Sequence, residues 1–427
     1  MFARGRLAAR LVTIALLSGL LLVSTVGAVG AAGTVVATGL ANPRGIAIAE
    51  DGTLYVAEAG LSGTEAFTPP PPYPPSTRGN TGRVTRIAPG GAKSTVAADL
   101  PSLSLGGNEN AFVLGPAGLV MAGGVLWLAN GAMVNGHPPA PNAATLLRVD
   151  PRTGAVSMGA DVAAYERGRN PDGYELTSNP YGLTLGLGGN LYATDAGGNV
   201  LYRITPSTGQ LDLVTIFAGL PAAASNPQRG GKSELDPVPT GVAPGPDGSL
   251  YVGLQGGAPF PSGAAKVLRV ARDGTVGDVV GGLTAVVALT VGPDRLLYVV
   301  EFGSFDGASQ PPDWKPGSGR VLRVRADGTT QAVADGLNAP NGIAFDRAGD
   351  LYVTVNSSTA PQAGPQGQVV RFDGVAAAGG TTPRARAQVP TQLPRTGSGG
   401  DPLWAGLAGI GLLLAGLGIG RAFGRRS

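Results

Sequence analysis

The sequence predicts an all-β protein, a six-bladed β-propeller, on three observations. A hairpin-like unit occurs six times, a second unit with a fixed arginine follows each copy, and one spare strand-like segment stands before the first copy. Short apolar runs joined by Asp-Gly or Gly-Gly turns are typical of β-hairpins. Two hairpins per repeat give four antiparallel strands, which is the content of one propeller blade.

The first hairpin of each repeat runs from a small residue to a pair formed by leucine and an aromatic residue. The small residues are Gly45, Gly118, Gly182, Gly241, Ala288 and Gly342. The pairs are Leu54-Tyr55, Leu126-Trp127, Leu191-Tyr192, Leu250-Tyr251, Leu297-Tyr298 and Leu351-Tyr352. Because regular self-similarity marks repeat architectures, six copies predict six blades.

The second hairpin of each repeat contains the pattern apolar-x-Arg-apolar. Its arginines are Arg86, Arg148, Arg203, Arg269, Arg323 and Arg371. Six cations could form a ring that binds an anion. Their one-per-blade regularity instead favours a structural role on an outer strand, with the aliphatic stem packed between blades.

The ends of the repeat array predict how the ring closes. The last copy has no convincing fourth strand after Phe372, whereas residues 34–40 (TVVATGL) read like the fourth strands of other repeats. We therefore expect residues 34–40 to complete the last blade of a propeller that covers residues 34–373 and leaves no edge exposed. The turns inside the hairpins are short and the other connections are long, so the long loops should share one face of the ring.

The N-terminal segment, residues 1–31, has the parts of a secretory signal peptide. Arginines come first, an apolar run follows, and small residues suited to cleavage end the segment. Export is therefore expected. After the propeller, residues 374–392 have the composition of a flexible linker.

The C-terminal segment resembles a sortase signal. The motif consists of Leu393, Pro394, Arg395, Thr396 and Gly397. An apolar stretch long enough to span a bilayer (402–420) and a basic tail (421–427) follow it. In sortase substrates the enzyme cuts after the threonine and joins it to the cell envelope, which implies attachment through Thr396. Anchoring by the transmembrane segment alone is the alternative.

Charge and composition exclude several classes of function. The chain carries +3 overall; taking away the +3 of residues 1–31 and the +2 of residues 397–427 leaves −2 for the rest. The basic balance thus belongs to the targeting segments and gives no reason to expect nucleic-acid binding. With no cysteine and only His137, the chain has no disulfide, thiol nucleophile or His-rich metal site.

The repeat resembles NHL-type six-bladed propellers, and one region resembles the ScyD/ScyE family of exported propellers more closely. The matching segments are 164–166 (AYE), 170–173 (NPDG), 178–182 (SNPYG), 195–199 (DAGGN) and 236–240 (DPVPT). This resemblance implies the propeller fold and export, and it implies no particular substrate. The chain departs from the family at Ala117, where a histidine is common, so no histidine-based role is expected there.

The first candidate site is formed by the residues that precede the six small residues. Each should lie at the mouth of the central channel, and the set is Arg44, Ala117, Tyr181, Thr240, Val287 and Asn341. This ring is mixed rather than acidic. Arg44, Tyr181 and Asn341 are its candidate ligand-binding residues, although all six could simply be spacers in a turn.

The second candidate site lies four residues after each leucine of the pairs. The residues there are Glu58, Asn130, Asp195, Leu254, Glu301 and Val355. Glu58, Asp195 and Glu301 could bind a ligand or hold calcium or another divalent ion, since such ions prefer oxygen ligands. Regucalcin-like and gluconolactonase-like propellers, which the repeat resembles, hold one ion in the channel. Solvation or capping of neighbouring N–H groups is the simpler expectation, so no metal is predicted.

The function predicted from these features is binding without catalysis. We expect a surface-displayed, monomeric propeller that binds a ligand or a protein partner at its long-loop face, with sortase and the cell envelope as its other partners. The alternative is a metal-dependent lactonase or hydrolase with a divalent ion in the channel. A scaffold in envelope metabolism is a third possibility. The fold alone does not identify the ligand, because propeller function depends on the loops.

Overall fold

The computed structural model describes residues 33–376, except 72, 107–111 and 310–312. These residues form six antiparallel sheets whose innermost strands lie side by side in a ring. The fold is a six-bladed β-propeller, as the sequence predicts. Each blade has four strands, numbered outwards from the channel, and blade 1 carries two additional short ones.

The first half of the ring consists of blades 1 to 3. Strand β1 (Thr34–Leu40) comes first, and blade 1 contains β2 (Pro43–Ile48), β3 (Leu54–Glu58), β4 (Glu65–Phe67), β5 (Ser76–Ile87), β6 (Lys93–Ser104) and β7 (Val113–Leu114). Blade 2 contains β8 (Pro116–Ala122), β9 (Val125–Asn130), β10 (Thr145–Val149) and β11 (Val156–Asp161). Helix α1 (Val162–Arg169) follows, and blade 3 contains β12 (Pro180–Leu185), β13 (Leu191–Asp195), β14 (Val200–Thr205) and β15 (Gln210–Ile216).

The second half of the ring is built in the same way. After a small sheet of β16 (Leu220–Asn226) and β17 (Lys232–Leu235), blade 4 contains β18 (Pro239–Pro244), β19 (Leu250–Leu254), β20 (Ala265–Val270) and β21 (Val276–Leu283). Blade 5 contains β22 (Val286–Val291), β23 (Leu297–Glu301), β26 (Gly319–Val324) and β27 (Thr330–Leu337), with the short pair β24 (Phe305–Asp306) and β25 (Asp313–Trp314) in its second loop. Blade 6 contains β28 (Ile343–Phe345), β29 (Leu351–Val355) and β30 (Gly367–Phe372). Short 3₁₀ turns lie at Leu187–Gly189, Pro227–Arg229 and Pro361–Ala363.

Blade 6 is completed by the first strand of the chain. β1 pairs antiparallel with β30, with Thr34 opposite Arg371 and Leu40 opposite Gly367. The predicted ring closure is therefore confirmed. Pairing the two termini of the array removes the free edge that the last blade would otherwise expose.

The connections divide between two faces of the ring. The short-turn face carries the tight turns inside the hairpins, whereas the long-loop face carries α1 and both small sheets. The described chain enters at Gly33 and leaves at Ala376, whose N–H donates to the carbonyl oxygen of Gly349 in a short turn. Both ends of the described chain thus lie on the short-turn face.

The small residue that opens each repeat allows the innermost strands to approach closely. A Cβ atom on Gly182 would overlap the carbonyl oxygen of Thr240 in the next blade, and one on Gly342 would overlap that of Arg44. Glycine is the residue that permits such close backbone contact. This contact narrows the channel, and it places the residue before each glycine at the channel mouth.

The arginine of each repeat lies on the third strand outwards from the channel, in the outer half of its blade. There it stands directly opposite the aromatic residue of the second strand. The six cross-strand pairs are Tyr55–Arg86, Trp127–Arg148, Tyr192–Arg203, Tyr251–Arg269, Tyr298–Arg323 and Tyr352–Arg371. Such pairs stabilise a sheet locally, so these arginines do not form an anion-binding ring.

The hydrophobic core lies between neighbouring blades. Trp127 and Leu146 of blade 2, for example, belong to one buried cluster with Leu183, Leu191 and Ile204 of blade 3.

Within the described ranges, no helix has both the length and the apolar character that a membrane span requires. The predicted signal peptide, linker, sorting motif, transmembrane segment and basic tail lie outside the described residues, apart from residues 374–376 of the linker.

Candidate functional site

Three of the candidate residues meet across the channel mouth. Arg44 Nη1 donates to the Tyr181 hydroxyl oxygen at 3.0 Å, and that oxygen lies 2.8 Å from Asn341 Nδ2 and 3.0 Å from Asn341 Oδ1. Arg44 belongs to blade 1 and Tyr181 to blade 3, while Asn341 leads into blade 6. All three side chains are buried. The ring of repeats therefore joins residues that are distant in the sequence into one hydrogen-bonded chain.

A small cavity lies beside this chain. Arg44, Tyr181, Val287 and Asn341 form part of its wall. The rest of the wall comes from Phe112, Gln255, Phe302, Trp314, Ser357 and Ser358. Its volume is about 20 Å³, which is the space that one or two water molecules need. The cavity therefore suits a single functional group of a ligand rather than a whole sugar or aromatic ring.

Two residues that line this cavity each carry a buried N–H donor without an acceptor among the described residues. Arg44 Nη2 donates to the carbonyl oxygen of Val113 at 2.6 Å, but Arg44 Nε is buried without a partner. The indole Nε1 of Trp314 is buried without one as well. No described Asp or Glu forms an ion pair with Arg44.

The other members of this candidate ring differ in role. Thr240 donates its hydroxyl to the carbonyl oxygen of Val286 at 2.7 Å and so bridges two blades. Ala117 and Val287 line the central channel, which has a cavity of about 80 Å³. Among the described residues that line this channel cavity there is no acid, histidine or lysine.

The strand-end carboxylates do not meet in the channel. Each lies opposite the first residue of the innermost strand of its own blade. Glu58 accepts the N–H of Ala41 at 2.5 Å and the hydroxyl of Thr85. Glu301 accepts the N–H of Thr284 at 2.8 Å and pairs with Arg320.

Asp195 is the most enclosed of the three. It accepts the hydroxyl of Ser178 at 2.6 Å and the backbone N–H groups of Asn179, Gly197 and Gly198 at 2.6 to 3.1 Å. Burial raises the pKa of Asp195, and burial likewise raises the pKa of Glu58. The three carboxylates hold the segments that lead into their own blades.

The described residues contain no group of three His, Cys, Asp or Glu side chains that could hold one metal ion. Glu58, Asp195 and Glu301 therefore offer no shared ligand set to the calcium ion of the alternative hypothesis. His137 lies exposed in a loop, with Nδ1 2.7 Å from the carbonyl oxygen of Asn135.

A second buried polar region, which we call the acid pocket, consists of Glu166, Asp172, Asp195, Asn199 and Asp236 beside blade 3. Glu166 of α1 is fully buried, and neither carboxyl oxygen has a partner among the described residues. A Cβ atom on Gly198 would lie 3.1 Å from Glu166 Oε2 and 3.3 Å from Asp195 Oδ2, so both carboxyl groups lie on the same side of this glycine. Burial, followed by the charges of Asp195 and Asp172, raises the pKa of Glu166 to about 9.

The segments that resemble the ScyD/ScyE family converge on the acid pocket. Asn199 Nδ2 donates to Asp172 Oδ2 at 2.8 Å and lies 3.4 Å from Asp236 Oδ1. Asp236 also forms an ion pair with the buried Arg229. The residues that carry the resemblance therefore form one structural unit beside Asp195.

Sequence reasoning missed several residues of the cavity wall. Gln255 and Phe302, for example, come directly after Leu254 and Glu301. Successive side chains of a strand point to opposite sides. The residue that directly follows a strand-end residue therefore points away from the segment of its own blade that the strand-end residue faces. The sequence pattern that indicates the cavity wall is thus the residue directly after each strand-end residue of the second candidate site, not the strand-end residue itself.

Comparisons with known proteins do not identify a function. No protein-family model matches the chain, and no curated protein does. Regucalcin from Agrobacterium tumefaciens, a calcium-binding protein, is 13% identical, with a TM-score of 0.47 over 80% of this chain and 93% of that one.

Two further solved structures have a similar likeness. Virginiamycin B lyase from Staphylococcus aureus is 15% identical, with a TM-score of 0.41 over 77% of this chain and 94% of that one. The PQQ-bound aldose sugar dehydrogenase from Streptomyces coelicolor is 13% identical, with a TM-score of 0.45 over 80% and 98%.

Proposed function

We propose that this propeller binds a small molecule at the channel mouth of its long-loop face without transforming it. The observation that carries the proposal is the convergence of Arg44, Tyr181 and Asn341 from three blades on one cavity. Convergent polar groups beside an apolar wall are typical of ligand sites. The rigid ring holds these groups in place before a ligand arrives, which lowers the entropy cost of binding.

The chemistry of the site supports binding over catalysis. General acid–base catalysis needs a titratable side chain at the reacting bond, and metal-assisted hydrolysis needs a bound ion. The described residues lining the cavity include one permanent cation, Arg44, and one phenol, Tyr181, whose hydroxyl is bonded to Arg44 and Asn341, and they include no carboxylate or histidine. The lactonase or hydrolase alternative would draw on Glu58, Asp195 and Glu301, whose oxygens already bind their own blades.

A panel of three matched compounds tests binding. We expect at least one of 3-phenylpropionate, 3-phenylpropionamide and 3-phenylpropylamine to raise the melting temperature, since a ligand of the native state stabilises it. The variant Gln255→Phe should lose the shift because the new ring fills the cavity, whereas Gln210→Phe on the short-turn face should keep it. No shift with any compound in the wild type would overturn the proposal.

The hydrolase alternative has its own assay. Hydrolysis of δ-valerolactone should not exceed the uncatalysed rate, with or without added calcium. Turnover that calcium enhances and Asp195→Asn abolishes would favour the alternative.

We also propose that the protein is exported, belongs to the ScyD/ScyE family and is displayed through the LPRTG motif. The order of motif, apolar segment and basic tail supports covalent anchoring at Thr396. Thr396→Ala should move the protein from the cell-wall fraction to the membrane fraction or the medium, while Thr382→Ala in the linker should not. Equal covalent attachment of both variants would overturn attachment through Thr396, and recovery of both from the membrane fraction would leave only anchoring by the apolar segment.

A further inference from the structure

We infer that the ligand of the channel mouth is a carboxylic acid, whose carboxylate is held by Arg44 Nε–H and Trp314 Nε1–H. This inference rests on the proposed function and specifies its ligand. The observation behind it is that two residues lining one cavity, Arg44 and Trp314, each carry a buried N–H donor that has no acceptor among the described residues.

Arg44 carries a charge that is buried without an acidic partner among the described residues. Its side chain is 7% exposed. A guanidinium group cannot become neutral by losing its proton in a protein, so the charge remains buried. Burying an unpaired charge is costly, and an anion brought by a ligand removes much of that cost.

Two hydrogen bonds fix the orientation of Arg44. Nη1 donates to the Tyr181 hydroxyl and Nη2 to the carbonyl oxygen of Val113, so Nε is the one nitrogen of the guanidinium without a partner among the described residues. The guanidinium is planar, so these two bonds also fix the direction of Nε–H. Arg44 is therefore already oriented to receive an acceptor.

Trp314 supplies the second donor, and its ring is held by other aromatic residues. Its centroid lies 4.8 Å from that of Phe302 and 5.0 Å from that of Phe260. An indole N–H can donate but not accept, so its unmet group also requires an acceptor. Leaving such buried donors unpaired is costly, and binding of an acceptor recovers that cost.

A carboxylate matches these groups in charge and in size. It carries a negative charge and two acceptor oxygens, and it has no donor that would be left unpaired. The cavity of about 20 Å³ accepts that group and leaves the ligand's body outside, towards the long loops. Phe302 and Phe112 then provide apolar surface beside the carboxylate. A neutral amide would leave the charge of Arg44 unpaired, and an amine would add a second cation.

Isothermal titration at constant ionic strength tests this inference with 3-phenylpropionate and 3-phenylpropionamide. We expect the acid to bind at least tenfold more tightly than the amide in the wild type. Arg44→Gln should remove that preference, Arg44→Lys should keep part of it, and Trp314→Phe should weaken acid binding several-fold. Arg203→Gln, on an exposed ion pair of blade 3, is the matched control and should bind like the wild type.

The outcomes separate this inference from the proposed function. Tighter binding of the amide or of 3-phenylpropylamine would overturn the carboxylate and leave the binding site standing. Binding of none of the three compounds would overturn both. If Arg44→Gln fails to fold, the ratio of acid to amide in the wild type and the effect of Trp314→Phe decide the question.

Discussion

The channel mouth and the acid pocket both bury polar groups without partners among the described residues, but the ionisable groups among them are of opposite sign. At the channel mouth the unmet groups include Nε of the Arg44 cation, whereas in the acid pocket they include both carboxyl oxygens of Glu166. The two regions are built from the same repeat, one on the channel side of the blades and one behind blade 3.

The difference lies in how each region can reach electrical neutrality. Glu166 can take up a proton, and its pKa of about 9 means that it does so at neutral pH. Arg44 has no such option, because a guanidinium keeps its charge. A buried carboxyl group therefore needs no partner molecule, while a buried guanidinium does. This contrast is the reason to place the ligand site at the channel mouth.

The largest effect that would test this comparison is expected from Asp195→Ala in the acid pocket. The change removes the acceptor of four buried donors, so the free energy of unfolding should fall by about 4 kcal/mol. Urea denaturation measures the change. Asp195→Asn keeps an acceptor oxygen and should lose less than half as much. Equal losses would show that charge, not acceptor number, holds Asp195 in place.

The second effect is a dependence of stability on pH that originates in Glu166. Between its ordinary pKa of 4.5 and its folded pKa of about 9, the folded state holds one more proton than the unfolded state. This contribution is complete below the ordinary value and is lost as the pH rises through the folded one. Stability should therefore fall by up to about 1.4 kcal/mol per unit between about pH 6 and about pH 8.

Glu166→Gln is the matched control for that slope. Glutamine has the shape of the protonated acid and cannot ionise, so this part of the slope should disappear from urea denaturation curves. A variant with the slope of the wild type would mean that Glu166 is ionised in the folded protein. The comparison between the two regions would then fail.

The smallest effect is expected from Arg44→Met at the channel mouth. The variant loses two hydrogen bonds but also relieves the burial of a charge, and these contributions oppose each other. Without ligand, we expect the free energy of unfolding to change by less than about 1 kcal/mol, equally at about pH 6 and about pH 9. A loss beyond about 3 kcal/mol would show that Arg44 has an acidic partner in solution.

The sequence was sufficient to predict the ring and its closure because both depend on local patterns. A Leu–aromatic pair and an arginine recur once in each repeat, and the aromatic residue and the arginine lie opposite each other on neighbouring strands. The match between residues 34–40 and the other fourth strands was visible without coordinates. The small opening residue identified the positions that the ring brings to the channel mouth, including Arg44, Tyr181 and Asn341.

The remainder of the site depends on loops, for which the repeat gives no pattern. Trp314 belongs to the second loop of blade 5, and Phe112 to the connection between blades 1 and 2. Nothing in the spacing predicts that both reach the same cavity. Equivalent positions also do not guarantee convergence, because Glu58, Asp195 and Glu301 face the leading segments of their own blades. The direction in which each side chain points, which alternates along a strand, is the reason that these three carboxylates do not meet in the channel.

The location of both ends of the described chain on the short-turn face has a consequence for access. Gly33 and Ala376 lie on the side of the ring opposite the channel mouth. Any attachment through either end would hold the protein from that side, so the mouth with Arg44 would be directed outwards. Attachment and ligand capture would then use opposite surfaces, and a molecule arriving from the medium would meet the long loops before it met the surface that carries the protein.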